Sequence, residues 1–296
     1  MGLGIFDGLH LGHKRIIKRI IRTARRNKGT SIIITFHPHP LKILYGKKFL
    51  PLLISLEHRL KLLEQLKLDV CLVIDFNKRF SQINADKFIN EIVKKINPLK
   101  IVVGENFTFG RATLGDVRFL KKKAKAYGFK LESVPLLRLK GKIVSSTYIR
   151  FLIQRGDLKC AQRLLGRPVS VIGQILEDRG LGRQLGFPTA NLDYHYEIIP
   201  PDGVYLVRIM VKNRVYPGLC NVGKRPTFFK TKKSARKIEV HILGFSRDIY
   251  RQSIEVQFIK RIRAEKKFSC RQQLIRQLKK DKSDALQYFS TNPATQ

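Results

Sequence analysis

Two histidines, His10 and His13, stand three residues apart in "FDGLHLGHK" (Phe6 to Lys14), with Gly12 between them and Gly8 just ahead. Their rings could donate hydrogen bonds to phosphate oxygens, and the glycines would let backbone and ligand approach closely. The segment stands where a loop turns into a helix, so free N–H groups and the positive end of a helix dipole would meet the same anion. By its spacing alone the pair reads equally as helix surface, and no third ligand lies near enough to favour a metal. A second stretch, "GLGRQLGFPTANLDY" (Gly180 to Tyr194), sets Arg183 among spaced glycines that permit close approach to phosphate. There Pro188 fixes a turn, and Thr189 and Asn191 offer oxygens to a hard cation. Standing alone, it reads better as a barrel turn.

Alternating helical and extended patterns must position the first stretch. "HKRIIKRIIRTARR" puts Ile16, Ile17, Ile20, Ile21 and Ala24 on one face and Lys and Arg on the other, which predicts a basic amphipathic helix. "TSIIITF" is a continuous β-branched run, as in a strand buried on both faces. Helix and strand patterns then alternate through "SLEHRLKLLEQL", "DVCLVID", "ADKFINEIVKKI", "KIVVG", "DVRFLKKKAKAY" and "KLESVPLL", which predicts a parallel sheet with right-handed crossovers. In such a sheet ligands bind at the carboxyl ends of the strands, where "FDGLHLGHK" falls.

"STYIRFLIQRGDLKCAQRLLG" reads as two short helices, after which the texture changes. "VSVIGQILE", "GVYLVRIMV", "RVYPGLCNVG", "KIEVHILGF" and "SIEVQFIKRI" are strands divided by Gly, Pro and Asn turns, followed by the helical "CRQQLIRQLKKD". The expected fold is therefore α/β: a Rossmann-like domain with a parallel sheet over residues 1–165, then a small antiparallel β-barrel with a C-terminal helix over 166–296.

The net charge of +37 reads first as a general drift towards Lys and Arg on solvated faces, and such a balance also attracts phosphate-bearing partners, whether nucleotides, nucleic acid or anionic membrane. The basic residues run along the whole chain rather than forming one tail, and the phenylalanines fall within apolar runs, so a specific nucleic-acid partner is not expected. Cys71, Cys160, Cys220 and Cys270 lie far apart without a C-x-x-C pair, which suggests a reduced, cytoplasmic protein. No apolar run reaches the ~20 residues of a membrane span.

The residues around His10 and His13, G-x-FDG-x-HLGH, resemble the H-x-G-H signature of the nucleotidyltransferase superfamily in its FMN adenylyltransferase form. "TFHPHP", "VVGENFTFG" and "VSSTYIR" follow in that family's order. G-R-x-L-G-F-P-T-A-N resembles the riboflavin kinase module, with "PPDGVYLVRI", "NVGKRPTF", "IEVHILGFSRDIY" and "RIRAEKKF" after it. The resemblance implies a bifunctional riboflavin kinase and FAD synthetase, with riboflavin, FMN and ATP as substrates and Mg²⁺ as cofactor. It implies that Gly8, His10 and His13 contact the phosphates during adenylyl transfer, and that Ser146, Thr147 and Arg150 hold the leaving pyrophosphate. It also makes Asn106 a polar contact near the nucleotide or flavin. In the kinase it implies that Gly182 and Arg183 lie over the ATP phosphates, that Thr189 and Asn191 serve Mg·ATP, and that Glu239 is the general base.

Several positions depart from the family pattern, among them His37 in place of an acidic residue and Gly244 in place of Asp. The beginning departs further. The family has an extended segment before G-x-FDG that forms the central strand, and here only Met1 to Ile5 precede the loop. The expectation is a sheet without that strand, with two readings open: an upstream start that supplies it, or a truncated adenylyltransferase half beside an intact kinase.

Overall fold

Strands covered by helices on both faces can be apolar at every position, and the β-branched runs of the first half behave in this way. A computed structural model describes residues 1–46, 51–176, 186–194, 197–212, 214–224, 236–245 and 247–292. The chain divides into two compact units, residues 1–148 and 149–296.

In the first unit β1 (Gly2–Leu3), β2 (Ile32–His37), β3 (Val70–Asp75), β4 (Lys100–Gly104) and β5 (Lys130–Val134) form a parallel sheet in the order β3-β2-β1-β4-β5. The helices between them are α1 (Leu11–Arg26), α2 (Pro40–Tyr45), α3 (Leu56–Gln65), α4 (Lys78–Ser81), α5 (Ala85–Ile96) and α6 (Val117–Tyr127), followed by a small ribbon, β6 (Arg138–Leu139) with β7 (Lys142–Ile143). The apolar side chains divide by the two-residue period of a strand. Ile33 and Val102 join Phe6, Leu9, Ile17, Ile20 and Leu63 on one face. Ile34, Ile101 and Val103 join Leu3, Phe88, Ile89, Phe109 and Leu120 on the other.

The expectation of a missing central strand is corrected by β1. Gly2 pairs with Ile33 on one side and with Val102 on the other, and Leu3 pairs with Ile34. Val102 N donates to Met1 O at 2.9 Å, and Gly4 N donates to Ile34 O at 3.1 Å. Residues 1–4 thus give both neighbouring strands backbone partners at the middle of the sheet. Gly2 permits this close packing, because a Cβ there would collide with Ile20 of α1.

The helix α7 (Ser146–Gln154) spans the division between the units and is followed by α8 (Leu158–Leu165). Beyond them β8 (Val169–Leu176), β9 (Ala190–Tyr194), β10 (Gly203–Val211), β11 (Arg214–Lys224), β12 (Arg236–Ile242) and β13 (Ser253–Arg263) close into an antiparallel barrel, in the order β10-β11-β12-β9-β8-β13. Val171, Tyr205, Val207, Ile209, Cys220, Val222, Ile238, Val240, Val256 and Phe258 are all at most 1% exposed and fill it. The strand β9 is not anticipated by the sequence pattern: its five residues, "ANLDY", are too few and too polar to register as alternation.

The C-terminal helix α9 (Arg271–Thr291) buries Ala285 against Val204, Leu206, Leu219 and Leu243. It is fastened by Asp281, which accepts from Arg263 Nε at 3.0 Å and Nη2 at 2.7 Å and is 2% exposed. Removing one partner of a buried pair strands the other charge. Asp281→Asn is expected to lower the stability of the barrel unit by about 3 kcal/mol, read as a shifted urea midpoint in circular dichroism with the first unit's transition unmoved.

Candidate active sites

The first site is built on a turn that the backbone alone would resist. Between β1 and α1 the chain passes through Phe6 (φ 53°), Gly8 (φ 81°) and Leu9 (φ 41°), all in the left-handed region. For Phe6 and Leu9 this costs roughly 1–2 kcal/mol each. Their side chains are 2% and 0% exposed in the core, and burial of that kind contributes about 1.5–3 kcal/mol each, enough to hold the turn. Gly8 suits its left-handed φ, and a Cβ there would fall 2.5 Å from Leu53 Cδ1, so that the Leu53 side chain would have to shift.

Asp7, buried at 3% exposure, ties the turn to its surroundings. Its carboxylate accepts from Leu53 N at 3.0 Å and Ile54 N at 3.3 Å, and its carbonyl accepts from Ser146 Oγ at 2.9 Å. The loop, the approach to α3 and the start of α7 therefore meet at one residue.

His10 is the N-cap of α1, and its Nδ1 accepts from His13 N at 3.3 Å. A nitrogen that accepts carries no hydrogen, so the neutral ring holds its proton on Nε2. The two imidazoles stack with centroids 3.6 Å apart. Burial pushes His10 down to about 4 and holds His13 well below its ordinary range, the latter aided by its neighbours His10 and Arg59. Both rings are thus neutral donors near pH 7. His13 Nδ1 is buried and has no hydrogen-bond partner among the described residues.

Ser146 reaches this loop through Asp7, whereas Ser145 is the residue that caps α7, accepting from Tyr148 N at 3.3 Å. Thr147 is exposed in the first turn, and Arg150, one turn after Ser146 on the same helix, is 8% exposed. Asn106 is exposed just past the carboxyl end of β4, where its Oδ1 lies over the bare Cα of Gly104. His37, at the carboxyl end of β2, pairs in register with Asp75 of β3. Burial and the charges of Arg59 and Lys42 push His37 below its usual value, with Asp75 opposing. The departure from an acidic residue there removes a negative charge.

The second site lies on the outer face of the barrel. Register aligns Asn191 of β9, Glu239 of β12 and Asn221 of β11 in one row across three neighbouring strands. Glu239 Oε1 is 2.6 Å from Lys237 Nζ, two residues back on the same face. Asn191 is 7% exposed, and Thr189 stands just before β9 in the wall of a pocket of about 80 Å³ that also includes Pro188, Phe245, Ile249 and Tyr250. Gly182 and Arg183 lie outside the described residues. Among the described residues no cluster of three His, Cys, Asp or Glu side chains could hold a metal by itself. The hydroxyl of Thr189 and the amide oxygen of Asn191 are hard oxygen donors, and such donors suit a divalent cation arriving with a nucleotide's phosphates.

Asp7, Asn221, Lys237 and His241 carry no role in the sequence reading. Alternation along β12 could have found two of them, since residues 237, 239 and 241 share a face.

The chain thus pairs an α/β unit, with a neutral histidine pair at a helix N-terminus, with a barrel that carries a carboxylate between two asparagines. The FAD synthetase family model matches residues 1–148 and the riboflavin kinase model matches residues 165–289. A bifunctional riboflavin kinase/FMN adenylyltransferase of Buchnera aphidicola (subsp. Schizaphis graminum) is 36% identical, over 98% of this chain and 94% of its own length. The protein of that name in Bacillus subtilis is also 36% identical, over 98% and 92%. A crystal structure from Streptococcus pneumoniae, described as a macrolide-efflux protein, superposes with a TM-score of 0.83 at 30% identity, covering 96% of this chain and 92% of that one. The chain belongs to the bifunctional riboflavin kinase/FMN adenylyltransferase family. Among its described residues no helix is long and apolar enough to cross a membrane.

The turn itself is open to test. Gly8→Ala forces a Cβ toward Leu53 at a left-handed φ, and is expected to slow FAD formation from FMN by about tenfold or more. FMN formation from riboflavin by the same variant, followed by chromatography, is expected to be unchanged.

Proposed function

We propose that each activity of this family is carried by one of the two sites: the barrel unit phosphorylates riboflavin with ATP, and the first unit transfers the adenylyl group of a second ATP to the FMN produced. The observation that carries the reading is the joint presence of the neutral, buried His10–His13 stack at the N-terminus of α1 and of the Asn191–Glu239–Asn221 row on the barrel.

In the kinase step the 5'-hydroxyl of riboflavin attacks the γ-phosphorus of ATP, the bond to the β,γ-bridging oxygen breaks, and ADP leaves. Glu239 takes the hydroxyl proton. Its Oε1 is engaged by Lys237, so Oε2 is the oxygen left to meet the hydroxyl. Thr189 and Asn191 are the residues that would hold Mg²⁺ with the nucleotide. When bound, the cation neutralises phosphate charge and orients the transferred group. The glycine-flanked Arg183, with Gly182, is assigned to the phosphates from the sequence alone.

In the adenylylation step an FMN phosphate oxygen attacks the α-phosphorus of ATP and pyrophosphate leaves. No proton has to be taken from a phosphate already ionised at neutral pH, so positioning and charge stabilisation suffice. His10 donates from Nε2 and His13 from its ring to phosphate oxygens, beside the N–H groups of α1 and the open approach at Gly8. Ser146, Thr147 and Arg150 are assigned to the departing pyrophosphate, and Asn106 to the nucleotide or flavin above β4. The four cysteines are all free thiols, which suits work in the reducing cytoplasm.

Two substitutions separate the sites. Glu239→Gln is expected to lower FMN formation by about 10²–10⁴-fold while FAD still forms from supplied FMN. His13→Ala is expected to lower FAD formation by about 10²-fold and spare FMN formation. Equal loss of both activities in either folded variant would contradict the assignment.

A further inference from the structure

The backbone ladder between β12 and β9 runs through the pairs Ile238–Leu192, Glu239–Asn191 and Val240–Ala190. Carried one step further it would set His241 opposite Thr189. At that step the His241 side chain takes hold instead, its Nδ1 lying 2.7 Å from the carbonyl oxygen of Pro188. A carbonyl only accepts, so Nδ1 carries the hydrogen. The ring is 9% exposed, and its centroid lies 5.8 Å from that of Phe187. Burial, with the charge of Lys282 on α9, holds this imidazole below its ordinary range, and the bond to Pro188 opposes them. The bond is available to the neutral Nδ1–H tautomer and to the cation alike.

His241 follows Glu239 by two residues and therefore stands on the same face of β12. Pro188 immediately precedes Thr189, and its ring has no N–H to anchor the turn from the other side. We propose that His241 is a positioning residue for phosphoryl transfer: its Nδ1–H, donated to Pro188, clamps the turn bearing Thr189 and Asn191 to the strand bearing Glu239. The inference rests on the assignment of Thr189 and Asn191 to the Mg·ATP site. A turn held in place before the nucleotide arrives loses less freedom on binding it, so the clamp acts first on nucleotide affinity.

The test compares Mg·ADP binding by calorimetry to the full-length chain and to its His241→Phe, His241→Asn and Thr189→Ala variants. Asn can present an amide N–H close to the place of Nδ1, whereas Phe keeps the ring and loses the donor. His241→Phe is expected to weaken Mg·ADP about tenfold and His241→Asn to stay within about threefold of the unaltered chain. Nitrogen-15 spectra of the unaltered chain are expected to show His241 protonated on Nδ1. Unchanged binding by His241→Phe, or equal weakening by Phe and Asn, would overturn the clamp, and so would a neutral ring protonated on Nε2. If Thr189→Ala binds Mg·ADP like the unaltered chain, the underlying assignment falls and the clamp with it. If Thr189→Ala is weakened and His241→Phe is not, the clamp alone falls. Should His241→Phe fail to fold, the tautomer measured on the unaltered chain decides.

Discussion

With two residues in its ladder, β1 gives the loop that follows a short footing in the sheet, extended by Thr35 Oγ1 donating to Ile5 O, and Asp7 adds contacts made beyond the sheet. Its carboxylate binds the N–H groups of Leu53 and Ile54, and its carbonyl receives Ser146 Oγ. Each partner lost from a buried carboxylate or carbonyl of this kind costs about 1–3 kcal/mol, or more for the charge. The left-handed turn at Phe6, Gly8 and Leu9 is then closed by two apolar side chains sunk in the core. Everything proposed for adenylyl transfer depends on this fixed turn, because it sets His10 as the cap of α1 and stacks His13 against it.

The second unit solves a different problem. A closed barrel leaves no free sheet edge, and its interior is filled with apolar side chains, so polar chemistry is displaced to the outer face. There three adjacent strands present Asn191, Glu239 and Asn221 in one row, while α9 covers the neighbouring apolar surface at Leu206 and Leu219. A catalytic carboxylate on an alternating strand looks in sequence like any solvated residue. Only the register with β9 and β11 gives Glu239 its company.

The regular elements were legible because their periods are strong. The Ile-rich face of α1, the apolar run of β2 and the long barrel strands β10, β11 and β13 each follow from a repeated spacing. The resemblance of G-x-FDG-x-HLGH and G-R-x-L-G-F-P-T-A-N named both activities. Short elements were not legible: β1 has too few residues for a pattern, and β9 reads as a turn because "PTANLD" is polar. Roles that depend on contacts distant in sequence were also hidden. Asp7 is separated from Ser146 by 139 positions, and no spacing rule connects them. The basic excess located no ligand, because lysines and arginines run along the whole chain.

The most direct test of two linked reactions in this chain follows the label from ATP. The purified chain is given riboflavin, Mg²⁺ and ATP labelled at either the α- or the γ-phosphorus, and the flavins are separated by chromatography. The account predicts γ-label in FMN and in the FAD made from it, and α-label in FAD with none in FMN. Labelled FMN without any α-labelled FAD would contradict it, because the loop held by Asp7 would then carry no adenylyl transfer.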